Sequence, residues 1–286
     1  MKILNKYLSL VKFSHTVFAL PFALIGFCLA IFRFGFVWNW QTLTKVILCM
    51  VFARSAAMAF NRFIDRKFDA ANPRTAIREI PAGIISADAA LWFVILMGGL
   101  FTLTTFFINP LCFFLSPIAL VITLGYSFTK RFTPLCHMIL GLGLSLSPIG
   151  AFLAVTGRFE VLPLLFSLGI FFWVSGFDII YALQDEEFDR GQGLYSIPVW
   201  LGSIMALRLS EILHLLCACL LLLAGIYGNL GMFYFIGYAI FSGLLIFQHT
   251  IVKHNDLSRV NLAFATTNGW ASVMFGILAI SDLIVY

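Results

Sequence analysis

Residues 89–129 read AALWFVILMGGLFTLTTFFINPLCFFLSPIALVITLGYSFT, without a single charged side chain. A membrane span needs about 20 predominantly apolar residues, so this run holds two crossings. Asn109-Pro110, in its middle, marks the turn between them. A second uncharged run, 212–252, has the same double length and breaks at Gly228-Asn229. Working outward from these two hairpins, further spans are predicted over 13–32, 42–60, 132–157, 161–181 and 260–281. The expected fold class is all-α: a polytopic membrane protein of nine helices around a central cavity.

Composition supports the bilayer as solvent. The chain is 61% apolar and 11% charged, with a mean hydropathy of +1.00, against about 45–50% and about 25% in a soluble domain. That excludes a cytosolic globule, a disordered chain and a nucleic-acid-binding module. A net charge of +5 spread over so few charges makes no basic patch. Nine spans put the termini on opposite sides of the membrane. Of the 18 Lys and Arg, only Arg33, Lys45 and Arg158 fall on one side, Arg54 lies within a span, and all the others fall on the opposite side. The positive-inside rule then makes the N-terminus cytoplasmic and predicts a multi-pass protein of the inner (cytoplasmic) membrane. Lys2, Lys6 and Lys12 precede the first span, but no small-residue cleavage site follows it, so it is read as retained. No linker interrupts the chain, and residues 1–286 are read as one domain with two aspartate-rich loops, 61–83 and 178–198.

The six cysteines lie in apolar runs with no C-x-x-C pair, as small buried hydrophobes do. Gly141-Leu-Gly143 reads as a helix-packing site. His15, His137, His214, His249 and His254 form no ligand pair in the sequence, and His15, at the mouth of the first span, is the one singled out.

Seven of the 13 acidic residues sit in two short segments. The first is Asn61-Arg-Phe-Ile-Asp65-Arg-Lys-Phe-Asp69. The second is Asp178-Ile-Ile-Tyr181-Ala-Leu-Gln-Asp185-Glu-Glu-Phe-Asp189. Residues four apart share a helix face, so each segment projects a stripe of carboxylates. Like charges so concentrated repel unless neutralised. Oxygen-only ligands select hard cations, Mg2+ above all, and Mg2+ favours one or two carboxylates shared with substrate phosphates. Arg66, Lys67, Arg74 and Arg78 interleave with the first stripe, and Lys130 and Arg131 lie between the spans that follow. Arg suits bidentate phosphate contact and Lys supplies a point charge. Together these residues outline a diphosphate pocket.

With its continuation Asn72-Pro-Arg74-Thr-Ala-Ile-Arg78-Glu-Ile-Pro-Ala-Gly83, the first segment resembles the first signature of the UbiA superfamily of intramembrane aromatic prenyltransferases. Asp178 to Asp189 resembles the second signature, and Tyr126-Ser-Phe-Thr-Lys130-Arg131 resembles the loop between them. Arg62 departs from the pattern, since many members carry Asp after the Asn. The resemblance implies transfer of a polyprenyl group from an allylic polyprenyl diphosphate to an aromatic acid, the acceptor being 4-hydroxybenzoate (ubiquinone pathway) or a hydroxynaphthoate (menaquinone pathway). It implies Mg2+ held by Asp65, Asp69, Asp185 and Asp189 with Asn61 in support. Arg66, Lys67, Arg74, Arg78, Lys130 and Arg131 would bind the diphosphate. Lys130 and Arg131 would also act catalytically by stabilising its departure. Asp178 and Tyr181, deeper in the span, would hold the acceptor or take its proton.

Arg54 is the one basic residue deep in a span, where a charge is costly and therefore a functional candidate. Seven residues before Asn61, it shares that face, and it suits an acceptor carboxylate or a structural partner such as Asp178. Competing functions are a cation transporter and a phosphotransferase acting on polyprenyl phosphates. Transporters place such carboxylates near the midplane, whereas these lie at span ends. The doubled aspartate motif sets the chain apart from the phosphotransferases. Lipid bilayer, prenyl diphosphate and aromatic acid are the expected partners; nothing in the residues calls for nucleic acid or a protein partner.

Overall fold

The computed structural model describes residues 3–11 and 18–286; Lys2, Lys12 and His15 lie outside them. The first helices are α1 (Ile3–Leu10) and α2 (Leu20–Cys28), the latter running on through a π-turn at Leu29–Arg33. Then come α3 (Trp40–Ile64), α4 (Arg66–Ala71), α5 (Ala87–Phe106), α6 (Pro110–Thr129) and α7 (Cys136–Thr156). The chain continues with α8 (Val161–Ala182), a 3-10 turn at Leu183–Asp185, α9 (Glu186–Gly191), α10 (Ile197–Tyr227) and α11 (Met232–Ile251). A π-turn at Leu262–Thr267 leads into α12 (Asn268–Val285). Among the described residues, eight helical stretches are long and apolar enough to cross a membrane, and Leu20–Arg33 is apolar but shorter.

Polar residues between the runs start the helices. Asn39 accepts from the backbone N–H of Gln41 at 2.8 Å and of Thr42 at 3.1 Å, capping α3. Such caps satisfy amides that have no intrahelical partner. Asn109 caps α6 through Cys112 N at 2.9 Å, and its own amide donates to Leu153 O at 2.8 Å, fastening the α5–α6 turn to α7. Both expected breaks are present: α5 ends before Asn109-Pro110, and α10 ends before Gly228-Asn229. The span predicted to begin at 212 begins at Ile197 instead. Arg208 and Glu211 do not end it, because they pair with each other at 2.9 Å on its outer side. At Gly202, with φ 77° and ψ 163°, the backbone leaves helical geometry, so residues 197–201 form a short helix joined across a kink to the long one.

The interior is aromatic. Phe22, Phe166, Trp173, Tyr234, Phe241 and Phe275 are fully buried, and neighbouring rings such as Phe22 and Trp173 stand 5.3 Å apart. Asn268 is the polar centre of this core. Its Oδ1 accepts from Trp173 Nε1 at 3.0 Å and from Gln248 Nε2 at 2.7 Å, while its Nδ2 donates to Ala263 O at 3.2 Å and Phe264 O at 3.1 Å, satisfying carbonyls at the π-turn. Helix α8 is the most enclosed of the long helices and α6 the least. Gly141 lets α7 reach α8, since a Cβ there would stand 2.6 Å from Phe171 O.

Candidate active site

The acidic segments lie where two long helices give way to short ones. Helix α3 stops at Ile64 and the chain resumes as α4; α8 stops at Ala182 and resumes, after one 3-10 turn, as α9. The i, i+4 spacing survives the first break, with Asn61 Nδ2 donating to Asp65 Oδ2 at 3.1 Å. Both segments line one cavity of about 600 Å³. Asn61, Asp65, Asp69, Asp178, Asp185 and Asp189 all reach its wall.

These carboxylates are not bare. Asp65 is buried and meets Arg131 Nη2 at 3.1 Å and Lys130 Nζ at 3.8 Å. Burial pushes its carboxyl above the ordinary carboxylate range, and Lys130 and Arg131 oppose that shift. Asp69, also buried, accepts from Arg78 Nη1 at 2.6 Å through Oδ1, while Oδ2 is buried without a hydrogen-bond partner. Asp185 belongs to the second segment, yet residues of the first hold it. Arg74 Nε and Nη2 donate to it at 3.1 and 2.5 Å, and Asn72 Nδ2 at 3.3 Å. Arg74 Nη1 also donates to Tyr181 OH at 2.9 Å. Burial pulls the Arg74 guanidinium down, but its contacts with Asp185 and Tyr181 together more than offset it, so Arg74 is held above its ordinary value. The concentrated carboxylates thus have basic partners within the chain: Arg74 and Arg78 from the connection after α4, and Lys130 and Arg131 from the connection after α6.

Two of the basic residues expected to bind diphosphate stand elsewhere. Arg66 turns back to donate to Phe63 O at 2.7 Å, Lys67 is exposed, and neither lines the cavity. Arg74, Arg78 and Lys130 do line it. Arg131, also expected to bind diphosphate, does not line it; it is fixed beside Asp65 by a further bond to Ile64 O at 3.0 Å. Arg62, the departure from the family pattern, is buried in the same wall with its Nε unpartnered. Glu79 was not foreseen: it is buried, lines the cavity and accepts from Ser9 of α1.

Deeper in the cavity, Asp178 is not paired with Arg54. Its Oδ2 lies 2.7 Å from Nδ1 of His137, a contact the sequence reading did not foresee. His137 stands in the first turn of α7, six residues beyond Arg131, and no spacing rule links it to Asp178. His214 and His249 also meet, at 2.8 Å, away from the cavity. Arg54 has its Nε buried without a hydrogen-bond partner. With Tyr126 it lines both the polar cavity and a second, apolar pocket of about 360 Å³ between α3, α5, α6 and α7. The two chambers meet at these side chains.

The donor set fits a hard divalent cation shared with a ligand. Among the described residues no three acidic, His or Cys side chains converge as a ready-made cage. Mg2+ does not ask for one, since it is usually held by one or two carboxylates together with water and phosphate oxygens. The unpartnered Asp69 Oδ2 is an acceptor left open for such an ion.

Known proteins carry the same plan. Residues 19–275 match the model of the UbiA prenyltransferase family. The chain is 32% identical over 242 residues to a 4-hydroxybenzoate octaprenyltransferase of Nitrosomonas eutropha, covering 83% of each chain. It is 28% identical over 261 residues to the protein of the same name from Francisella tularensis subsp. novicida, covering 86% of this chain and 91% of that one. Among solved structures, the apo structure of a UbiA homologue from Aeropyrum pernix K1 superposes with a TM-score of 0.85 at 30% identity, over 94% of this chain and 98% of that one. A UbiA homologue from Archaeoglobus fulgidus bound to DMAPP and Mg2+ shares the fold, with a TM-score of 0.74 at 22% identity, over 98% of this chain and 100% of that one. Family match, relatives and fold agree over nearly the whole length, with both acidic segments inside the matched region: the chain belongs to the UbiA prenyltransferase family.

Proposed function

We propose that the chain transfers a polyprenyl group from an allylic polyprenyl diphosphate to the ring of 4-hydroxybenzoate, in a Mg2+-dependent reaction of ubiquinone biosynthesis. One observation carries this reading: two acidic segments and their basic partners share a polar cavity that joins an apolar pocket at Arg54 and Tyr126. The relatives named 4-hydroxybenzoate octaprenyltransferase support the acceptor. Asp65, Asp69, Asp185 and Asp189, with Asn61, would hold the metal. When bound, Mg2+ supplies charge neutralisation for the departing diphosphate.

The protein's own residues do the remainder. Lys130, Arg131, Arg74 and Arg78 exchange part of their carboxylate contacts for diphosphate oxygens and stabilise the charge that grows as the C–O bond breaks. The hydrocarbon tail occupies the apolar pocket. Arg54, at the junction, takes the acceptor's carboxylate, which supplies its open Nε with a partner. Asp178 receives the ring proton, and Tyr181 keeps Arg74 in place. A charged transporter path is not supported, since the second chamber is apolar.

The chain is proposed to form one domain, 1–286, of nine spans in the inner membrane with a cytoplasmic N-terminus, acting without a required protein partner. A cysteine at Asn72 in a cysteine-free background would then react with an impermeant reagent from the cytoplasmic side alone; labelling of intact cells from outside would invert this topology. The deciding assay supplies membranes holding the protein with geranyl diphosphate and a panel of aromatic acids. Prenylated 4-hydroxybenzoate is the expected product. Preference for a hydroxynaphthoate would move the enzyme to the menaquinone pathway, and no product with any acceptor would overturn the proposal.

A further inference from the structure

One ionisable pair in the cavity wall stands apart from the arginines and lysines that hold Asp65, Asp69 and Asp185. Asp178, near the C-terminal end of α8, and His137 lie 2.7 Å apart, Oδ2 to Nδ1. His137 is buried, while the Asp178 side chain is 21% exposed and lines the cavity. The contact at the other ring nitrogen fits one tautomer. The backbone N–H of Ile197, the first residue of α10, faces His137 Nε2 at 3.3 Å. A backbone N–H can only donate, so Nε2 accepts and the ring proton sits on Nδ1. Nδ1–H therefore donates to Asp178 Oδ2. Oδ1 has no hydrogen-bond partner among the described residues and is left to the cavity.

A cationic partner favours an ionised carboxylate and lowers its basicity. Asp65, Asp69 and Asp185 each face such a partner, although burial still leaves Asp65 above the ordinary carboxylate range. A neutral N–H donor orients a carboxylate without the same loss of basicity.

Resting on the proposed prenyl transfer, we propose that His137 is a positioning residue that holds Asp178 as the acceptor of the ring proton. The allylic C–O bond breaks and the diphosphate leaves with both electrons. A pair of ring π electrons forms the bond to the allylic carbon. The C–H electrons then restore the ring as its proton passes to Asp178 Oδ1, and later to water. His137 keeps its own proton throughout.

Two variants separate this role from simple capping of α10. His137→Asn sets an amide where Nδ1 stood and can keep the bond to Asp178. His137→Gln reaches the Nε2 position and can keep the bond from Ile197. Each is assayed with ordinary acceptor and with acceptor deuterated at the ring carbons flanking its hydroxyl. Loss of one hydrogen bond to a charged group predicts that His137→Gln lowers kcat by roughly 10- to 150-fold. KM for the prenyl diphosphate should hold, and the deuterated acceptor should turn over more slowly, because proton removal has become limiting. His137→Asn should stay close to wild type and show no such isotope sensitivity, as should wild type. The reverse order of the two variants, or a loss of kcat in His137→Gln without isotope sensitivity, would overturn the inference while leaving prenyl transfer intact. No product from wild type with any acceptor would overturn both.

Discussion

The two acidic segments share a spacing but not an environment. In the first, Asp65 and Asp69 are enclosed, at 4% and 5% exposure, beside cations whose side chains are 22% to 33% exposed. In the second, Asp185 lies nearer solvent and is held chiefly by Arg74, whose side chain is 35% exposed. Asp178 has a histidine in place of an arginine. Asp65 and Asp69 are thus built into the fold, as is Asp189 at 6% exposure, whereas Asp185 is held to the first segment by Asn72 and Arg74. Carboxylates at one spacing can carry similar chemistry and contribute differently to stability.

The largest effects should come from the carboxylates themselves. Asp69→Ala and Asp185→Ala should each reduce turnover by about 10²-fold or more, the scale of losing one electrostatic stabiliser. Their stabilities should diverge. Removing Asp69 leaves the half-buried Arg78 without its partner, at a cost of up to about 3 kcal/mol, while Arg74 can turn to water after loss of Asp185 at a cost of about 0–1 kcal/mol. Turnover in membranes and thermal unfolding in detergent measure both. Equal destabilisation would break the comparison.

Chelation should sharpen it. EDTA should abolish turnover, and added Mg2+ should restore it. The melting temperature should barely move, because Asp65, Asp69 and Asp185 already have basic partners. A large fall in melting temperature would show that the basic partners do not suffice to hold the segments.

Next in size is Arg54→Leu. Loss of a charge-assisted bond of about 1.5–3 kcal/mol should lower kcat/KM for carboxylated acceptors by roughly 10- to 150-fold, with KM for the prenyl diphosphate little changed. An unchanged ratio between carboxylated and decarboxylated acceptors would remove Arg54 as the anchor. The smallest effect is expected for Tyr181→Phe, which deletes one acceptor of Arg74. At about 0.5–1.5 kcal/mol, the rate should fall by roughly 2- to 12-fold. A larger loss would show that Tyr181 touches a substrate.

Much of this molecule is determined by residue order alone. Uncharged runs of span length, broken at Asn109-Pro110 and Gly228-Asn229, lay down the long helices, because an apolar run in a bilayer has no better way to satisfy its backbone. The i, i+4 recurrence of Asn61, Asp65 and Asp69 marks the site, since helical period is a local property. Local rules do not reach the partners. Arg74 meeting Asp185, His137 meeting Asp178 and Ser9 meeting Glu79 all depend on segments separated by tens of residues coming to lie side by side. Charge and spacing name the side chains available for chemistry. Which of them face each other, and which carboxylate is left with a neutral donor and an open oxygen, is decided by packing alone, because hydrogen bonds are set by distance in space and not by distance along the chain.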